Sequence, residues 1–118
     1  MADVDQNDPY TIKDTAAMIA VKVRVLGGHT GAWIVLFEGM PIPPQPDGFV
    51  VLGVGGLLRG RDVVVMTTVT KVAAGKLFTV VHDVRETSAG GVTMTPIEVK
   101  GSFGTVNTAD VEETITFK

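Results

Sequence analysis

From Asp62 to Glu86 apolar and polar residues alternate along two valine-rich runs, DVVVMTTVTKV and LFTVVHDVRE, separated by Ala-Ala-Gly-Lys. Alternation with a period of two marks a strand with one buried face. Folded back about Ala74-Gly75 as an antiparallel hairpin, Val72 falls opposite Leu77, Val69 opposite Val80 and Val65 opposite Val84. One face then collects Val63, Val65, Val69, Phe78, Val80 and Val84, while the other is a mixed polar set. In this register His82 faces Thr67 on the apolar side. The link has no Asn-Gly or Asp-Gly pair, so no particular hairpin turn is specified.

The same period appears from Met18, with Ile19, Val21, Val23 and Val25 on one side and Lys22 and Arg24 on the other. That strand ends at the turn cluster Gly27-Gly28-His29-Thr30. The continuous apolar run Ala32 to Phe37 reads as a central strand covered on both faces. Next comes MPIPPQPDG, in which Pro41, Pro43, Pro44 and Pro46 remove ladder donors and restrict the residues before them. This segment is expected to be an extended, polyproline-like connection across an edge or end of the sheet. Phe49 to Leu52 is a short strand, broken by the glycines from Gly53 to Gly60. A strand over 92–100 carries Pro96, which places it at an edge or at a bulge. The last strand, 111–117, turns Val111, Ile115 and Phe117 inward, and Glu113 interrupts that face, at its margin or paired.

No amphipathic helix of useful length is present. Seven or eight strands at this spacing predict an all-β fold, a two-sheet antiparallel sandwich of Greek-key or jelly-roll type, with a flattened barrel as second choice. Residues 1–15, with Asp3, Asp5, Asp8 and Asp14, read as a flexible acidic arm ahead of a single domain spanning 16–118.

The bulk numbers narrow the partners. A chain of 118 residues fits one domain. Only 19% of residues are charged and the mean hydropathy is +0.32, which leaves a surface sparse in charge and points to an oligomer or a protein partner. The net charge is −3 and the cations form no cluster, so no nucleic-acid contact is expected. Without cysteine there are no disulfides, thiolate nucleophiles or Cys-rich zinc sites. The acidic beginning of the chain does not look like a signal peptide, and no apolar run is long enough for a membrane span. A soluble protein, cytoplasmic or virion-associated, is the expectation.

Candidate chemistry is thin. His82 and Asp83 are adjacent in a strand, so their side chains point to opposite faces and make no dyad. His29 sits in a glycine-rich turn, where a surface position is expected. Asp3-x-Asp5-x-Asn7 copies the start of a calcium loop, but Asp8 stands where glycine is needed and no helices flank it. The loop Gly53 to Gly60 lacks the Gly-Lys-Ser/Thr ending of a phosphate loop; its glycines suit a bulge or close packing. No metal and no cofactor are therefore expected.

These features predict a non-catalytic structural or protein-interaction module, not an enzyme. It suits a self-assembling homo-oligomer such as a virion or capsid-decoration subunit, with Pro41, Pro43, Pro44, Leu57 and Leu58 at the interface. A second expectation is a small-molecule or glycan-binding domain whose cavity is lined by His82, Thr67 and Trp33. A third is a hydrolase-type enzyme using His82 as a general base.

Overall fold

The computed structural model describes residues 3–118. Its strands are β1 (Val4–Tyr10), β2 (Met18–Leu26), β3 (Thr30–Phe37), β4 (Met40–Ile42), β5 (Val50–Val54), β6 (Asp62–Thr70), β7 (Leu77–Ser88), β8 (Gly91–Ser102) and β9 (Thr108–Phe117). A single helical turn, α1 (Gly55–Leu58), separates β5 from β6. The strands form two sheets, one ordered β1-β9-β6-β3-β4 and the other β5-β2-β7-β8. Both sheets have free edges, so the sandwich is open and not a barrel. β1 runs parallel to β9, and every other pair is antiparallel. None of the described helices is long and apolar enough to cross a membrane.

The expected β6–β7 hairpin does not exist. β6 lies between β9 and β3, while β7 lies between β2 and β8 in the opposite sheet. Val65 pairs with Val35 and Glu113, and Val84 pairs with Val21 and Thr95. The inward faces are nonetheless those expected, since Val63, Val65, Val69, Val80 and Val84 are all fully buried. Two strands that face each other across a core show the same apolar alternation as two strands that pair. Periodicity selects the face and says nothing of the neighbour. The link 71–76 spans the gap between sheets, roughly 10 Å in a sandwich, and contains no tight two-residue turn.

Two strands appear where none is expected. Residues 4–10, expected in the acidic arm, form β1. Its backbone pairs with β9 from Val4–Val111 to Tyr10–Phe117, and Tyr10 and Ile12 reach the core. Within the proline segment, Met40–Ile42 pairs with Val35–Phe37 as β4. Pro41 is tolerated there because β4 is an edge strand.

Pro96 lies on β8, which is an edge as its sequence predicts. The Glu98 carbonyl points away from β7 and accepts from Gln6 Nε2 at 3.2 Å. Positions of the same parity, Pro96 among them, therefore turn their backbone groups outward, so the missing N–H costs no ladder bond.

The β3 run behaves differently from its expected double burial. Trp33 and Val35 turn inward, but Ile34 is 49% exposed on the outer face. The glycines after β5 serve packing. Gly53 has φ +140° where the β2–β5 register shifts between Ile19 and Ala20. At Gly55 a Cβ would come within 2.9 Å of Ile12 and 3.0 Å of the Asp14 carbonyl.

Candidate functional site

The sandwich opens along one side, where the β3–β4 edge faces β5. An apolar groove of about 670 Å³ lies there. Val35 and Val50 are buried in its floor, and Trp33 is half-buried between groove and core. Pro41, Ile42, Pro43 and Pro44 form one wall. No charged or hydroxyl-bearing side chain lines it. The local sequence explains this. Alternation in β3 sends Trp33 and Val35 inward, and the prolines hold the following segment extended so that Ile42 closes over them.

The three residues expected to line a cavity separate. Thr67 and Trp33 are register partners on adjacent strands, both facing inward. His82 faces inward from the other sheet and is fully buried. Trp33 borders the groove, whereas Thr67 and His82 do not. His82 does not bond to Thr67. Its Nδ1 donates to the Ile97 carbonyl at 3.1 Å, because a carbonyl only accepts. Its Nε2 and the Thr67 hydroxyl have no partner among the described residues. Burial pushes the His82 pKa below its ordinary value and keeps the ring neutral. A base sealed from solvent has no route to a substrate.

Of the residues expected at an interface, Pro41, Pro43 and Pro44 line the groove together. Leu57 is 75% exposed, but Leu58 is a core residue, 2% exposed. His29 is buried too, contrary to the expected surface turn. Its ring meets Phe103 edge-on with centroids 4.9 Å apart, and its Nδ1 accepts from the Val72 N–H at 3.3 Å.

On the opposite open side β1 and β8 flank a cleft of about 500 Å³ bordered by Asp8, Tyr10, Lys13, Thr95, Pro96 and Glu98. Lys13 Nζ crosses it to Thr95 Oγ1 at 2.8 Å. Beneath lies Glu113, fully buried, with neither carboxyl oxygen receiving a protein donor. Burial first, and then the charge of nearby Asp8, push its pKa up to about 8. Glu113 is thus held largely protonated at neutral pH, with Asp8 close by. Asp8 in turn accepts from Gln6 Nε2 at 2.5 Å.

Glu86, also buried, is well satisfied. It accepts from the Tyr10 hydroxyl and from the backbone N–H of Lys13 (3.1 Å) and Asp14 (3.0 Å). Burial, and then that hydrogen bond, push the Tyr10 pKa up. Glu86 thus fastens the end of β1 and the chain after it. Among the described residues no cluster of His, Asp and Glu is arranged to hold a metal.

The sequence signals Glu113 by its interruption of an apolar face, but gives no sign of Asp8 as its neighbour. Ile42, Val35 and Val50 were likewise not legible as groove residues, since three separate segments meet there.

Comparison with protein families, with curated proteins and with solved structures finds no match for this chain.

Proposed function

We propose that the protein is a non-catalytic interaction module that seats uncharged apolar side chains of a protein partner in the Trp33 groove. The groove itself carries this reading: about 670 Å³ of open space, mostly apolar, with no charged or hydroxyl-bearing side chain in its lining. That volume lies within the range of about 300–1,000 Å³ common to ligand pockets. No charged or hydroxyl-bearing side chain is there to stabilise a developing charge, and none of the groups with displaced pKa values, Tyr10, Arg24, Asp47, His82 and Glu113, is among its lining residues. Pro41, Pro43 and Pro44 keep the wall extended before anything binds, which lowers the ordering cost of association. The edges β4 and β5 are three and five residues long, so an extended segment of a partner can lie between them.

Trp33 is the only tryptophan, so its fluorescence reports on the groove directly. A neutral naphthylamine dye, and then uncharged hydrophobic peptides, are expected to shift and quench that emission with saturation. Ile42→Asp places a charge on the wall and is expected to weaken binding about tenfold or more, with near-UV circular dichroism unchanged. Absence of saturable binding, or equal binding by the Ile42→Asp protein, rejects the reading. If only small dyes bind and no peptide does, the groove is a small-molecule site instead.

A further inference from the structure

One end of the sandwich is built by the β2–β3, β6–β7 and β8–β9 connections. They are stitched together by the Val72 N–H on His29 Nδ1, by Lys71 N–H on the Asn107 carbonyl (2.8 Å) and by Phe103 N–H on the Lys76 carbonyl (2.8 Å). On this end four aliphatic side chains stand in solvent: Leu26 (43% exposed), Val72 (60%), Leu77 (74%) and Val106 (60%). The stretches that form it contain no carboxylate at all, from Thr15 to Phe37, from Val63 to His82 and from Val99 to Ala109. They do contain Lys71, Lys76 and Lys100, none of which is in an ion pair among the described residues. On a chain of net charge −3, this is an apolar tip with a cationic rim.

The outer face of the five-stranded sheet has the opposite make-up. One cross-strand row reads Ile34, Met66, Glu112, Asp5, and the next reads Ala32, Thr68, Asp110, with Asp3 hydrogen-bonded beside Asp110. The β3–β6 half is apolar, with Ile34 49% and Met66 41% exposed. The β9–β1 half carries carboxylates, none of them ion-paired among the described residues.

We infer that the tip of one copy docks on this sheet face of a second copy. Aliphatic side chains meet Ile34 and Met66, and the lysines meet the β9–β1 carboxylates. The two surfaces complement each other in charge and in apolar content, and each lacks an internal counterpart. The whole molecule extends 46 × 26 × 22 Å across its Cα atoms, so its short cross-section is on the order of the ~800 Å² that one partner gives a standard interface. The contact is heterologous, tip to face, so it propagates into an open string or closes into a ring. Its face includes Ile34 and Ala32, which border the groove, but neither the proline wall nor the buried floor residues Val35 and Val50.

Sedimentation velocity on the full chain over a range of concentrations and salt tests this. Wild-type protein is expected to associate at low salt and to dissociate at high salt, because the lysine–carboxylate contacts are screened. Leu77→Asp spoils the tip and Met66→Lys spoils the face; both positions are exposed, so the fold is kept. Each variant alone is expected to lose self-association by about tenfold or more. An equimolar mixture of the two is expected to give a one-to-one dimer that grows no further, since one intact tip remains for one intact face. A wild-type protein that stays monomeric throughout overturns the inference, as do variants that associate like wild type. Monomeric protein that binds anionic lipid vesicles, with loss in Leu77→Asp, also overturns it and assigns the tip to a membrane surface.

Discussion

Glu113 stands on the inward face at the centre of β9, between Val111 and Ile115 and across from Val65, and nearby Asp8 comes from the segment with the least apolar content. The interruption it makes is visible in the sequence as a break in an alternating face. Its neighbour is not, because residues 3–9 carry little to bury and pattern reading assigns them to solvent. What holds β1 is a backbone ladder along β9 together with Tyr10 and Ile12, and a ladder leaves no trace in hydropathy. The same limit applies to His29 and Leu58, each buried by contacts from distant segments. Glu113 gives the fold a pH dependence of definite sign. Its pKa rises from 4.5 to about 8 on folding, so the native state holds a proton that the unfolded chain releases. The stabilisation is complete below the unfolded value and is lost as pH rises toward 8. The depressed pKa of His82 acts oppositely, with stability lost as pH falls below its ordinary value of 6.5. Between these ranges only Glu113 contributes of the two. The melting temperature of the wild-type protein is therefore expected to fall between pH 6.5 and 8, whereas Glu113→Gln, which does not titrate, is expected to give a flat profile there. A flat wild-type profile would show that the carboxyl does not titrate with folding.

At the level of strands, the existence, type and buried face of most elements were legible. The partners of β6 and β7 were not. Alternation is a one-strand property, and pairing depends on which other strands compete for the same edge. β4 escaped notice because proline argues against strand, and an edge position removes that objection. Pro96 shows the converse, since its presence marks the edge. β8 is twelve residues long, and a free edge of that length is an invitation to pair with another chain. Pro96 removes an outward donor from its middle. Pro96→Val restores that donor on a strand whose exposed Val92 and Met94 already favour pairing. The variant is expected to form thioflavin-positive aggregates sooner than wild type under agitation, and independently of salt. If the two proteins aggregate at the same rate, the edge is guarded by something other than this proline.

For the whole molecule, the two-sheet sandwich was readable because most strands have one apolar face and the chain lacks helical periodicity. The groove, the buried Glu113 beside Asp8 and the contrast between tip and face were not, since each is assembled from segments far apart in the chain. Two surfaces follow from that assembly, a rigid apolar groove on one side and a cationic apolar tip at one end. The parallel pairing of β1 with β9 has a further, mechanical consequence. Val4 lies beside Val111 and Tyr10 beside Phe117, so the first and last strands are neighbours that point the same way. Tension applied to the two ends of this domain would drag those strands along each other in shear, loading their hydrogen bonds simultaneously, not unzipping them in turn. Single-molecule pulling from residues 3 and 118 is expected to meet a high rupture force, and pulling β7 and β8 apart at their open end, from Leu77 and Ser102, a much lower one.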